Sequence, residues 1–154
     1  MKRALKTLAS FTFLILWLLL SSAFSFQLIT VDEARRPDDP RKYTFLAGPV
    51  PEPRIRVVGP AKTTTSPFNM IIELRPYGGA KINLNTLQVR YLKDPHVDLV
   101  PRIQKFIDKT GRTVVIKIED AEAPPGKHRI LFQVEDSNEQ LGRTVLELTV
   151  VDSK

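Results

Sequence analysis

Phe68-Asn69-Met70-Ile71-Ile72-Glu73-Leu74-Arg75 is the stretch that decides the fold. Phe68, Met70, Ile72 and Leu74 fall at every second position, with Asn69, Glu73 and Arg75 on the other side. That is the two-residue period of a strand that buries one face and wets the other. Pro76-Tyr77-Gly78-Gly79 ends the run with a sharp turn. The alternation recurs outward from there. Ile55 and Val57 precede it; Leu87, Val89 and Tyr91 follow, with Gln88, Arg90 and Lys93 outward until Asp94-Pro95 breaks the pattern. Val114, Ile116 and Ile118 come after Gly111, Ile130, Phe132 and Val134 after Pro124-Pro125-Gly126, and Leu146, Leu148 and Val150 after Gly142. Short strands between turn signals, each with one apolar face, predict two antiparallel sheets packed face to face.

One interval has a different period. Val100, Ile103, Phe106 and Ile107 recur at helical spacing between Asp98, a good N-cap residue, and Gly111, a good residue just past a helix end. Pro101 lies in the first turn of such a helix, where its missing donor costs nothing. A short helix crossing one end of the sandwich is expected.

Gly79-Ala80-Lys81-Ile82-Asn83-Leu84-Asn85-Thr86-Leu87-Gln88-Val89, followed later by Pro125-Gly126-Lys127-His128-Arg129-Ile130 and Val134-Glu135-Asp136, resembles bacterial Ig-like domains. The resemblance covers about half the chain and implies an all-β, Ig-like antiparallel β-sandwich of about seven strands with one short helix, over residues 54–154. Its motifs concern turns and the starts of strands, so it implies a fold more than an activity. The chain departs from the family's usual Asp-x-x-Gly-Asn turn, carrying Asp136-Ser137-Asn138-Glu139-Gln140-Leu141-Gly142 instead, and its helical insert is longer than the common loop. With no cysteine pair and no core tryptophan, an antibody-type domain is not implied.

Before residue 54 the composition changes. Lys2, Arg3 and Lys6 lead into an apolar run from Leu8 to Leu20, and Ser21-Ser22-Ala23-Phe24-Ser25 follows. This order of charge, apolar core and small residues marks residues 1–25 as a signal peptide, with an uncleaved inner-membrane anchor as the alternative. The run is shorter than the roughly 20 residues a membrane span needs. Ser21 with Ala23, or Ala23 with Ser25, fits a peptidase equally well. Residues 26–53 hold five of the twelve prolines, Pro37, Pro40, Pro49, Pro51 and Pro53, and read as an extended Pro-rich tether. Tyr43, Phe45 and Leu46 are the places where it would touch the domain.

The 154-residue chain has no cysteine, which removes disulfides, thiol catalysis and lipoprotein acylation from a protein expected to be periplasmic or secreted. Its formal charge is +6, but Lys2, Arg3 and Lys6 have no acidic counterpart, so the rest holds twenty Lys and Arg against seventeen Asp and Glu. The cations are spread among acids along every segment, so no nucleic-acid partner is expected.

Chemistry-bearing constellations are few. His128 is in register with Ile130, Phe132 and Val134, so its ring is expected at the edge of the core, bonded to a nearby carbonyl much as the corner tyrosine of sandwich domains is. Gly126 suits a backbone bend after two prolines, and Asp136 suits a turn in which its carboxylate bonds backbone amides. The best local metal candidate is His96-Val97-Asp98, but His96 beside Asp94-Pro95 reads as a solvated loop residue and Asp98 has a capping job. Asp136, Asn138 and Glu139, or Asp38 and Asp39, match no rigid calcium loop. Neither histidine sits in a triad context and no carboxylate pair stands out, so neither catalysis, a metal nor a cofactor is expected. Tyr43, Phe45 and Tyr77 are the aromatic rings free to contact a ligand such as a sugar. The reading is a non-enzymatic exported module for protein interaction or envelope support, whose sandwich edges accept an extended partner by strand addition. A carbohydrate-binding accessory module is the alternative, with a metal-binding or hydrolytic periplasmic protein behind it.

Overall fold

The computed structural model describes residues 26–45 and 52–152; residues 1–25, where a signal peptide is expected, Leu46 and the prolines at 49 and 51 lie outside the described residues. In chain order the elements are β1 (Phe26–Gln27), α1 (Val31–Ala34), β2 (Arg54–Val58), β3 (Thr63–Thr65), β4 (Phe68–Arg75), β5 (Ile82–Tyr91), β6 (Val97–Asp98), α2 (Val100–Ile103) with a 3-10 turn (Gln104–Phe106), β7 (Ile107–Asp108), β8 (Val114–Glu122), β9 (Gly126–Asp136) and β10 (Leu141–Val151). They form two five-stranded sheets. One runs β1-β8-β4-β2 with β7 also on β8; the other runs β3-β10-β9-β5-β6.

The alternating residues meet between the sheets. Met70, Ile72 and Leu74 of β4 and Ile116 and Ile118 of β8 face Val89 and Tyr91 of β5, Ile130, Phe132 and Val134 of β9, and Leu148 and Val150 of β10 in one buried cluster. Each such side chain contributes about 1.5–3 kcal/mol on leaving water. Two bulges keep the pattern in phase. In β8 one extra residue falls opposite Phe68 and Met70, and Asp120 takes φ 50° there, its amide donating to Asn69 Oδ1 at 3.0 Å. Both Ile118 and Ala121 therefore stay core-facing. In β5 the register with β9 breaks between Asn83 and Gln88, where Thr86 Oγ1 donates to the Asn83 carbonyl and accepts from the Glu135 amide.

The sequence leads to an expectation of about seven strands, and among the described residues ten are formed, the six long ones being those that the alternation marks. The other four, β1, β3, β6 and β7, have two or three residues each, too few to show a period. The helix between Asp98 and Gly111 is also shorter than expected. Asp98 is extended in β6 and its Oδ1 accepts from the Val100 amide at 3.0 Å, so the cap position falls to Leu99, without a side-chain bond. Ile107 and Asp108 leave the helical path to pair with Ile116 and Val115, because the edge of β8 offers them ladder bonds.

β2 begins against β10. Gly142 lies so close beneath Pro53 that a Cβ there would stand 2.1 Å from the Pro53 carbonyl oxygen, so only glycine lets the two chains cross. After β2 the chain turns at Gly59-Pro60 and changes sheet, and β3 runs parallel to β10.

Residues 26–45, read from sequence as part of an extended tether, lie on the sandwich. β1 pairs in parallel with Ala121 and Glu122 of β8, and Leu28 and Ile29 are buried in the core. A one-turn helix follows. Among the described residues no helix is long and apolar enough to cross a membrane.

Candidate functional site

The densest convergence of polar side chains is where this arm returns to the sandwich beside β5, β6 and β9. Two attachments hold it. In the first, Thr30 caps α1: its Oγ1 accepts from the Glu33 amide at 3.2 Å, and Glu33 Oε2 accepts from the Thr30 amide at 2.9 Å. Arg102 of α2 then grips both oxygens of Glu33, at 2.9 and 2.5 Å, and donates to the Leu28 carbonyl at 2.7 Å. The Arg102 guanidinium brings the Glu33 carboxyl down from 4.5 to about 2. Phe26 meets Phe106 edge to face at 4.9 Å between ring centres.

In the second attachment the arm adds itself to the sandwich as a short strand. The Asp39 amide donates to the Leu92 carbonyl at 3.2 Å, the Asp94 amide donates to the Pro37 carbonyl at 2.9 Å, and Asp38 stands opposite Lys93 as an antiparallel bridge. The carboxylates follow the backbone. Lys93 Nζ, on a residue only 6% exposed, donates to Asp38 Oδ1 at 2.6 Å. Asp39 is 3% exposed and accepts from several groups at once: Arg41 Nε at 2.9 and 3.0 Å, the Arg41 amide at 3.0 Å, the Tyr43 hydroxyl at 2.6 Å and His96 Nε2 at 2.5 Å. Arg129 of β9 donates to the carbonyls of Asp39 and Arg41.

The bonding around Asp39 fixes its state. The Arg41 guanidinium holds its carboxyl well below the usual carboxylate range, helped by Tyr43 and His96 and opposed by burial. Nε2 of His96 lies 2.5 Å from this ionised oxygen, which only accepts, and 2.9 Å from Arg41 Nη2, which only donates, so both contacts meet at one ring nitrogen. The Tyr43 hydroxyl, pushed up by burial and then by Asp39, is a donor only to that carboxylate. Arg41, Tyr43 and His96 converge on the Asp39 carboxylate, Lys93 holds Asp38 and Arg129 holds the carbonyls of the arm, which makes the arrangement a clasp.

His128 lies in the core beside the clasp. It is 2% exposed; Nε2 donates to the Pro124 carbonyl at 2.8 Å, which leaves Nδ1 to accept from the Tyr91 hydroxyl at 2.9 Å. Burial pushes its pKa down from 6.5. Gly126 has φ 140°, a conformation that side-chain-bearing residues rarely adopt, as the chain turns into β9. At the far end of β9, buried Asp136 accepts from the Asn138 and Gln140 amides at 2.8 and 3.1 Å.

The three aromatic residues proposed as ligand contacts are not brought together. Tyr43 and Phe45 are half-buried beside each other, 6.3 Å between ring centres, with Arg143 lying 4.8 Å over Phe45. Tyr77 stands in the turn between β4 and β5, at the opposite end of β5 from the clasp, and is 61% exposed. His96 and Asp98 point to different tasks, Asp39 and the Val100 amide, and among the described residues no three acidic or histidine side chains converge as a metal site would need.

Sequence reasoning missed Glu33–Arg102 and the Asp39 clasp. Thr30-Val31-Asp32-Glu33 is a capping-box pattern that signals the first of these. Nothing local joins Asp39, His96 and Arg129, which are far apart in sequence.

Against the outer wall of the clasp lies a cleft of about 340 Å³, lined by Asp38 of the arm and by Lys62, Lys127, Arg129, Glu147 and Thr149 of the sandwich. No family model, no curated protein and no solved structure matches this chain.

Proposed function

We propose that the chain is an exported, non-enzymatic Ig-like module that binds an extended segment of another protein along the open edge of β2. The Ig-like reading is supported by strand order: of the six long strands, the first, second and fourth (β2, β4, β8) share one sheet and the sixth, fifth and third (β10, β9, β5) the other, as in Ig-type sandwiches. Export, to the periplasm or beyond, is supported by the charged, apolar and small-residue order of residues 1–25.

The observation that carries the binding reading is the contrast among edges. Among the described residues β2 pairs over five residues with β4 and has no hydrogen-bonded strand on its other side, where β10 approaches it at its start, whereas β1, β6 and β7 are two-residue strands and β3 three. A regular row of unpaired amides and carbonyls templates another strand. Arg54 and Arg56 stand exposed on it, matched to an extended segment that carries carboxylates.

A photoreactive residue at Val58, placed in the full chain in its native envelope, is expected to give one dominant protein adduct. The same residue at Lys117, on exposed β8 of the same sheet, gives none. Equal labelling from both positions, or none from either, overturns the reading. The carbohydrate alternative is favoured by one observation only, the exposed ring of Tyr77. A glycan-array signal that disappears in Tyr77→Ala would carry it.

A further inference from the structure

The arm at Pro37–Asp39 is a bound peptide in all but connectivity: an extended acidic segment that donates and accepts main-chain bonds at Leu92 and Asp94 and places two consecutive carboxylates on Lys93 and beside His96. We infer that this end of the sandwich is a receptor for an extended segment bearing adjacent carboxylates, and that Asp38 and Asp39 occupy it as a resident competitor which such a segment, supplied in trans, displaces. The inference rests on the interaction reading above and gives that module a second surface with a defined ligand chemistry.

Three features favour an acidic peptide. The receptor groups Lys93, His96 and Arg129 belong to the sandwich rather than to the arm, so they remain when the arm leaves. The main-chain bonds at residues 92 and 94, and those from Arg129 to the arm's carbonyls, carry no sequence information and fit any extended chain, while Lys93 selects for a carboxylate. The cleft then supplies a place to land. Lys62 and Lys127 line it without a carboxylate partner among the described residues, against the single sandwich acid Glu147, so an incoming acidic segment binds beside the arm before exchanging with it. Asp38 is the point of exchange: its side chain is 71% exposed while that of its partner Lys93 is 7% exposed, so the resident carboxylate is open to replacement from solvent.

A synthetic peptide of the arm's own sequence, Arg36 to Tyr43, tests this on the full chain. It carries the Arg41 and Tyr43 groups that complete the Asp39 clasp. Against wild type it competes with the tethered copy and binds weakly. Against Asp38→Asn, which takes the carboxylate partner from Lys93, it is expected to bind about tenfold more tightly, because less of the receptor is occupied. Its saturation moves the amide signals of Lys93 and Lys127. A peptide with asparagine at both aspartates does not bind, and Lys62→Ala combined with Lys127→Ala weakens binding to the Asp38→Asn chain without lowering its melting temperature. Absence of saturable binding to an Asp38→Asn chain with an intact amide spectrum overturns the inference, as does equal binding of the two peptides. Equal competition by free succinate also overturns it, since that shows a charge site without strand pairing. Crosslinking at Val58 is independent of all these outcomes, so the inference can fail while the β2 reading stands.

Discussion

The two attachments of one arm are built from opposite physics. Around Phe26–Ala34 the arm is held by burial: Leu28 and Ile29 are each 1% exposed, and the Glu33–Arg102 pair closes over them. Around Pro37–Phe45 it is held by charge, through two ion pairs with one member buried and the other largely in solvent: buried Asp39 with Arg41, and buried Lys93 with Asp38. Apolar burial is additive in area and indifferent to salt, whereas exposed ion pairs contribute about 0–1 kcal/mol and fade with ionic strength. The first half of the arm is thus part of the core, and the second half is held by pairs that keep one member, Arg41 or Asp38, open to water and salt.

The largest test of that distinction is Leu28→Ala. A fully buried leucine is expected to cost about 3 kcal/mol, read as a lower urea midpoint for the whole domain. A loss below about 1 kcal/mol would break the comparison, since it would make this half of the arm peripheral too. Next comes Arg102→Ala, which strands the Glu33 carboxylate and the Leu28 carbonyl and is expected to cost about 2 kcal/mol. The same pair sets an acid limb. Because the folded Glu33 carboxyl lies at about 2 against an ordinary 4.5, its contribution is complete above about 4.5 and is lost as pH falls toward 2. Glu33→Gln removes that limb from the stability-against-pH curve. A milder dependence belongs to His128, whose folded pKa is below 6.5. The unfolded chain binds the proton first, so stability falls as pH drops through about 6.5 and this slope is absent from His128→Gln. The smallest global effect is expected from Arg41→Ala, which removes a largely exposed side chain while Tyr43 and His96 still reach Asp39: little change in the urea midpoint, but faster amide exchange at Asp39 and Arg41 than at Leu28 and Ile29. A cooperative loss of protection in both halves would show that the clasp and the buried half are one unit.

The sandwich was legible because its information is local. Met70, Ile72 and Leu74, or Ile130, Phe132 and Val134, announce a buried face by spacing alone. His128 announced its orientation in the same way, being in phase with the core residues of its strand. The arm was not legible, because Leu28 and Ile29 are two adjacent apolar residues with no period, and the nearby prolines argue for an extended chain. What turned that chain onto the sandwich was a capping box and a distant arginine. The end of the α2 region failed for a related reason. Ile107 fits a helical face equally well, but the unpaired edge of β8 competes for it, and a sequence does not display its own empty edges. The clasp depends on Asp39, His96 and Arg129 meeting across three segments, which only the folded topology brings about.

β10 occupies an interior place, with β9 on one flank and β3 on the other. It is also the last strand of the fold to be made. Until Val151 has left the ribosome, β3 has no neighbour to join and β9 lacks one of its two ladders. The β2–β4–β8 and β5–β9 ladders need no part of β10, so what waits for this strand is the fastening of β3 and of the second flank of β9.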